Sequence, residues 1–390
     1  MRPFHLALLS CGMLWAACGG SSKSGSPMKS GSASDAGSST GSNSASGGST
    51  SASGGSLLPY GKGPAGQLWV DMTSGDLVVF DAADGKQLKK VAAPDRGTGG
   101  IMTAGGLIWV SEGRKPDQMV AIDPKDDAQL TTVDASAGGG VLPFAAAGKA
   151  WFVAPDSNSD SYVWAATATG TVKLATGNQV FMGGGAGTDV GAFFIAQESL
   201  LSGPLSVVQI DPGNTQQLGK VSIDGLEGVP SKFPIVAQMA AMPAQVFVLT
   251  TFTTTMRHAL IAIDATNHTV KKHAELAIDN FADVADMPLV DGDKLYAADQ
   301  FNGKVHEIDP DTFAIRRSLD FRGAHDSATN VAFPSRGPVL GGGAVWLAGL
   351  KAGKAFIRRM DLADGTLGDA PIPPELGSAL PESIAFLPPK

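Results

Sequence analysis

The chain has 390 residues, of which 17% are charged and 50 are glycine, with a formal net charge of −8. Sparse charge and abundant glycine fit an all-β protein with many turns better than a helical one. From Leu57 onward there are 26 basic against 36 acidic residues, and this acidic balance without a basic stripe excludes nucleic acid as a partner.

The first element is Met1–Ala17. One positive charge, Arg2, precedes an apolar run through Phe4, Leu6, Leu8, Leu9, Met13 and Leu14. The run falls short of the ~20 apolar residues that a spanning helix needs, and has the dimensions of a cleaved signal peptide. It ends in Trp15-Ala16-Ala17-Cys18-Gly19, with small residues before a cysteine.

That ending resembles the bacterial lipobox, with Trp15 in place of the usual leucine. The resemblance implies lipidation of Cys18 after cleavage and attachment to a membrane through that lipid. Gly19 after the cysteine, rather than aspartate, implies the outer membrane, on either its periplasmic or its cell-surface side. Cys11 and Cys18 are the only cysteines. The folded domain is therefore expected to have no disulfide, no thiolate metal site and no cysteine nucleophile.

Residues 18–56 form the next segment. Gly19–Ser56 holds 16 serines and 10 glycines in 38 residues. Such a stretch cannot bury enough apolar surface to offset its ordering entropy, so a disordered tether is expected, with ends about 35 Å apart.

Residues 57–390 carry an internal repeat. Each copy has an apolar run with an aromatic residue, a polar loop, and a second apolar run that usually ends on aspartate. The first runs are Leu68–Val70, Leu107–Val110, Ala150–Val153, Phe193–Ile195, Val246–Leu249, Leu295–Ala298 and Val345–Ala348. The closing aspartates are Asp81, Asp123, Asp211, Asp264, Asp309 and Asp361, and the third copy has none. Starts recur every 39 to 53 residues, near the ~40–50 of a four-stranded propeller blade. Asp-Pro from Asp123, Asp211 and Asp309 reads as a turn in which the carboxylate accepts backbone N–H bonds and proline presets φ. These aspartates are therefore turn formers rather than catalytic groups.

Mixed charged and apolar segments such as Gln87–Val91 and Ala314–Leu319 suit outermost strands. Stretches such as Ile101–Gly106 suit crowded inner strands. Pro381–Pro388 and Gly66–Val70 read as two parts of one blade joined from both ends of the chain, which closes the ring. The fold expected is an all-β propeller of seven four-stranded blades. On Leu295–Pro310 above all, the chain resembles YVTN-type and quinoprotein-like propellers. That resemblance implies a fold and is nearly silent on function.

In this topology the loops between second and third strands share one face with the connections between blades. The candidate ligand-binding residues on that face are Asp71, Glu112, Asp299, His325 and Asp326. Asp156, Asn158 and Asp160 place oxygen side chains at alternate positions, as calcium loops do. Ser161 and Thr167 stand where such a loop needs glycine and glutamate, so the stretch reads as a polar loop. His325-Asp326 beside Asp279, Asp283 and Asp286 offers an acid–base pair or ion site, but the surrounding sequence reads as surface loop. His258 and His306 read as solvated, and His268 and His273 as solvent-facing. Gly183–Gly187 and Gly341–Gly343 lack the Lys-Ser/Thr of a phosphate loop.

No cofactor motif is found, and no catalytic set converges. The expectation is a monomeric, non-enzymatic envelope lipoprotein whose propeller is a scaffold for a protein, peptide or glycan. The alternative is a propeller enzyme of lyase or lactonase type, with histidine and carboxylates in an axial pocket.

Overall fold

The computed structural model describes residues 57–91, 100–112, 118–134, 143–155, 161–175, 180–199, 202–229, 235–252, 257–278, 287–299, 303–322, 331–332, 337–351, 354–373 and 379–389. The described elements are all strands, gathered into seven antiparallel sheets.

Blade 1 holds β1 (Gln67–Met72), β2 (Leu77–Asp81) and β3 (Gln87–Val91). Blade 2 holds β4 (Ile101–Ala104), β5 (Leu107–Glu112), β6 (Gln118–Ile122) and β7 (Gln129–Asp134). Blade 3 holds β8 (Phe144–Ala146), β9 (Lys149–Pro155), β10 (Ser161–Thr167) and β11 (Gly170–Ala175). Blade 4 holds β12 (Val180–Gly187), β13 (Ala192–Ser199), β14 (Ser202–Ile210) and β15 (Gln217–Ser222). Blade 5 holds β16 (Ile235–Met242), β17 (Gln245–Phe252), β18 (Arg257–Asp264) and β19 (Thr269–Leu276). Blade 6 holds β20 (Met287–Asp291), β21 (Lys294–Asp299), β22 (Lys304–Ile308) and β23 (Ile315–Asp320). In blade 7 the inner position is shared by β24 (Val331–Ala332) and β25 (Val339–Gly341), both paired to β26 (Ala344–Lys351), with β27 (Lys354–Asp361) and β28 (Leu367–Pro371) outside.

The last strand, β29 (Pro381–Leu387), returns to blade 1 as its inner strand. Gln67 pairs with Leu387 and Val70 with Ile384, so both ends of the domain complete one blade as the sequence suggested. Neighbouring inner strands touch in the closed circuit β29–β4–β8–β12–β16–β20–β25–β29.

Seven apolar clusters hold the ring, one at each seam between blades. The seam of blades 7 and 1 packs Trp346, Ile357 and Ala370 against Val70, Phe80 and Ile384. The aromatic residue of each second strand is buried in such a seam, including Trp69, Trp109, Trp151, Tyr296 and Trp346. Each large side chain fully buried this way contributes about 1.5–3 kcal/mol. Three of these indoles also pin the hairpin before them. Nε1 of Trp109, Trp151 and Trp346 donates to the carbonyl five residues back, on Ala104, Ala146 and Gly341, at 3.0–3.3 Å.

In blades 2, 3 and 7 the turn between inner and second strands takes positive φ at both central positions. Gly105-Gly106 and Gly342-Gly343 supply it at 60–76°, the mirror-image two-residue turn that matches strand twist. Glycine at position 185, in β12, has a different cause. A Cβ there would overlap the ring of Phe144 from the next inner strand.

The aspartate turns form in all six blades that carry the residue. Oδ1 of Asp81, Asp123, Asp211, Asp264, Asp309 and Asp361 accepts the N–H two residues on at 2.7–3.0 Å. The carbonyl of each accepts the N–H four residues on. Blade 3 instead turns tightly through Ala168-Thr169, with Thr167 paired to Gly170.

Candidate functional site

An antiparallel blade sends its hairpins alternately to the two faces of the ring. One face carries the inner-to-second and third-to-outer turns and is here the turn face. The other carries the second-to-third loops and the links between blades and is here the loop face.

The turn face is stitched together across the seams. Lys89 of blade 1 bonds Asp127 and the carbonyl of Pro124 in the blade 2 turn. Lys149 of blade 3 donates to the carbonyl of Pro212 in blade 4. His268 in the blade 5 turn lies over Gly219 and meets Oε1 of Gln209 in blade 4 at 2.8 Å. Lys272 of blade 5 donates to Asp311 O at 2.8 Å, and Arg317 of blade 6 to the carbonyls of Leu362 and Ala363. At the last seam, the lead-in through Tyr60 and Gly63 donates to the carbonyls of Ala82 and Ala83 at 2.7 Å. Among the described residues, no such clasp reaches the blade 3 turn, the one that lacks the aspartate.

The loop face gathers the ionisable groups at the ends of the second strands. Asp71 lies near the end of β1, Glu112 and Asp299 are the last residues of β5 and β21, and Lys351 is the last residue of β26. The sequence placed the first three in loops; the structure extends the strands to include them. Asp71, Asp299 and Lys351 are buried rather than displayed, at 0, 2 and 7% exposure. The reason is the crowding of second strands between neighbouring blades, which covers residues beyond the aromatic position. Each of the three takes part in a polar contact of its own.

His258 is a further correction. It was expected in solvent but is 2% exposed at the start of β18. Burial pushes its imidazole below the ordinary histidine range, while the nearby Asp299 carboxylate acts in the opposite direction. His306 is also buried, and its Nδ1 meets Ser318 Oγ at 2.8 Å. His268 is half-buried against blade 4 instead of facing solvent. Cys18, Asp156, Asn158, Asp160, Asp279, Asp283, Asp286, His325 and Asp326 lie outside the described residues, as does the side chain of Glu112. Among the described residues no group of three or more His, Cys, Asp or Glu is placed to hold a metal ion.

One ionic site had no expected role. Arg358 of β27 and Asp369 of β28 form a bidentate pair at 2.7 and 2.8 Å with both side chains fully buried. Arg358 Nη1 also donates to the carbonyls of Phe321 and Arg322 in blade 6. Asp369 Oδ2 accepts from Leu58 N at 3.1 Å. Two arginines inside an otherwise apolar third strand, Phe356–Asp361, were the available signal.

The axis holds a cavity of about 470 Å³ lined by the inner strands of all seven blades. Among the described residues its lining includes no histidine, carboxylate, lysine or arginine. Asp71, Asp299 and Lys351 are therefore not among the described residues of the axial wall.

Seven blades closed by the C-terminal strand define a quinoprotein-like β-propeller. The family profile described as "Outer membrane protein assembly factor BamB" matches residues 73–319, more than half of the chain. The chain belongs to that family. No curated protein shows significant similarity to it. Among solved structures, apo AztD from Citrobacter koseri is 11% identical, with 83% of this chain and 98% of that chain covered at a TM-score of 0.56. A second structure of Citrobacter koseri AztD is 12% identical over the same shares at 0.50. BamB from Moraxella catarrhalis is 11% identical over 81% of this chain and 96% of its own, at 0.42. At such identities the likeness is one of fold.

Proposed function

We propose that this chain is an exported, lipid-anchored, non-enzymatic scaffold of the cell envelope whose propeller binds a protein partner across its loop face. The observation that carries this reading is the unequal use of the two faces. The turn face is occupied by aspartate turns, clasps between blades and the lead-in segment. The loop face gathers Asp71, Glu112, Asp299 and Lys351 at equivalent ends of blades 1, 2, 6 and 7, with His325 and Asp326 in the same link between blades 6 and 7.

The family to which the chain belongs is described by an outer-membrane assembly role, which supports a protein partner and an envelope location. The lipobox-like Ala16-Ala17-Cys18 supports anchoring. The lead-in through Tyr60 and Gly63 bonds the blade 1 turn, which adds to the occupation of the turn face. The contact is with the loop-face rim, because Asp71 and Asp299 are buried and a partner meets the loops that depart from these strand ends.

Photo-crosslinking in intact cells tests the reading. A photoreactive side chain at position 112, on the loop face, should give a discrete adduct with one envelope protein. The same group at Lys125, in an exposed aspartate turn, should give none. Equal adducts from both positions, or none from position 112 and other loop-face positions, would refute it.

A further inference from the structure

We infer that the outer edge of blade 3 takes an extended segment of another protein as a fifth strand. This inference concerns the rim of the ring and is independent of the loop-face reading.

An outermost strand leaves a row of backbone N–H and C=O groups that any extended chain can pair with. Six of the seven outer strands restrict that access. In five of them a β-bulge interrupts the ladder just after the aspartate turn. The register passes over Leu88 in blade 1, Leu130 in blade 2, Leu218 in blade 4, Lys271 in blade 5 and Arg316 in blade 6. A bulge bends the strand and breaks the regular spacing that an added strand would match. Blade 7 has no such shift, but the lead-in lies on its edge. Asp369 N donates to the Leu58 carbonyl at 3.4 Å, and Leu58 N donates to Asp369 Oδ2 at 3.1 Å. The Tyr60 carbonyl sits against Gly368, and Gly368, Asp369 and Ala370 are all buried.

Blade 3 has neither device among the described residues. Its outer strand β11 pairs with β10 in unbroken register from Thr167–Gly170 to Tyr162–Ala175. Gly170, Thr171 and Val172 are exposed, Val172 at 46%. A two-residue hairpin joins its flanking residues, here Thr167 and Gly170, by hydrogen bonds, and the pattern alternates from there along an antiparallel pair. Thr171, Lys173 and Ala175 therefore turn their N–H and C=O groups away from β10. Together they present the regular donor–acceptor row that complements an extended backbone.

The blade 7 edge shows what such an edge accepts, a segment from outside the blade laid along it. A second copy of this chain fits less well. Its rim is convex and would meet this one only along the six residues of β11, far short of the ~1,200–2,000 Å² of a stable interface. A flexible segment follows the strip without that limit. Thr171 and Val172 stand on opposite faces of the sheet, so β-branched residues in the partner strand suit both sides.

A fluorescein-labelled peptide, Lys-Thr-Val-Thr-Val-Thr-Glu, tests the inference against the full chain with Cys18→Ser, purified without detergent. Fluorescence anisotropy should show one site per molecule, and the same peptide N-methylated at every amide should bind at least tenfold more weakly. Amide hydrogen exchange should slow across residues 170–175 when the peptide is bound and stay unchanged in β3 and β15. Lys173→Pro removes one outward N–H without touching the ladder to β10. It should weaken the peptide by roughly tenfold, the loss expected for one hydrogen bond, with an unfolding midpoint near that of the parent. The proposal is overturned if the parent does not bind the peptide, if the methylated peptide binds as tightly, or if exchange slows equally in β3. It is also overturned if Lys173→Pro binds like the parent. A parent that is dimeric through β11, and returned to monomer by Lys173→Pro, would overturn it in favour of a second copy. Should Lys173→Pro fail to fold, Thr171→Pro, at the other outward N–H beside the turn, is read in the same assay with the same outcomes.

Discussion

Replacing Asp369 by alanine is expected to be among the most damaging single changes in the domain. Arg358 and Asp369 are both fully buried, and Asp369 provides the acceptors for Arg358 Nε and Nη2 at 2.7 and 2.8 Å. In Asp369→Ala the guanidinium keeps the Phe321 and Arg322 carbonyls but loses its counter-charge. Leu58 N loses its acceptor at the same time. Breaking a buried pair in this way costs about 3–5 kcal/mol, a large share of a typical stability of ~5–15 kcal/mol. Removing both charges, as in Arg358→Met with Asp369→Leu, eliminates the stranded charge and leaves only two carbonyls and one N–H to find other partners. The double variant should therefore be less destabilised than Asp369→Ala alone. Urea unfolding followed by tryptophan fluorescence measures both, with Trp346 in the same blade as a reporter. A loss under about 1 kcal/mol for Asp369→Ala, or a double variant no better than the single, would show that water reaches the pair and that the argument fails.

Three further outcomes follow from the same structure. Deleting residues 383–390 removes most of β29 and uncovers the edge of β1, so the Leu57–Lys390 domain should lose its cooperative thermal transition near the parent temperature; an unchanged melt would contradict ring closure by that strand. Cys18→Ser should abolish labelling by a fatty-acid analogue and release the protein from the membrane fraction, and a labelled variant would contradict lipidation at that residue. His258 has a folded-state pKa depressed from its ordinary 6.5 by burial, so its neutral form stabilises the fold above that value. That contribution is lost as pH falls through 6.5 and below, because the unfolded chain then binds the extra proton. The urea midpoint should decline between pH 7.5 and 5, and more steeply in the parent than in His258→Gln; parallel declines would remove His258 from the account.

The blade architecture was legible because its causes are local and repeated. An aromatic residue fills each seam, and an aspartate satisfies the third-to-outer turn in six of the seven blades, so both recur at blade spacing and declare the repeat. Ring closure was legible because Pro381–Pro388 and Gly66–Val70 are each incomplete alone. The candidate site was legible only in part. The sequence placed Asp71, Glu112 and Asp299 in loops, but the burial of Asp71 and Asp299 depends on how far a strand continues past its aromatic position. A neighbouring blade sets that limit, and neither composition nor period records it. His258 and His306 were misread for the same reason. The Arg358–Asp369 pair joins two strands, two carbonyls of another blade and the lead-in, so no single window of sequence contains it. The axial cavity draws a few residues from each of seven distant segments and has no sequence signature at all.

The clasps constrain the length of the turns on the turn face. A third-to-outer turn ends in fixed carbonyls, and a lysine or arginine at the adjacent seam reaches them, as at Pro124, Asp311 and Leu362. Any change in turn length moves those carbonyls and breaks a contact between blades. Blade 3 illustrates the converse. Its turn lacks the aspartate and is two residues long, and among the described residues no neighbour's cation is bound to it. The turn and its clasp are thus lost together. The loops between second and third strands lie mostly outside the described residues; the described one, Thr73–Asp76, bonds Leu380 just before β29 of its own blade rather than a neighbouring blade's turn. A binding surface that must be altered independently of stability belongs away from the turn-face clasps, which is the physical ground for directing the search for a partner to the loop face.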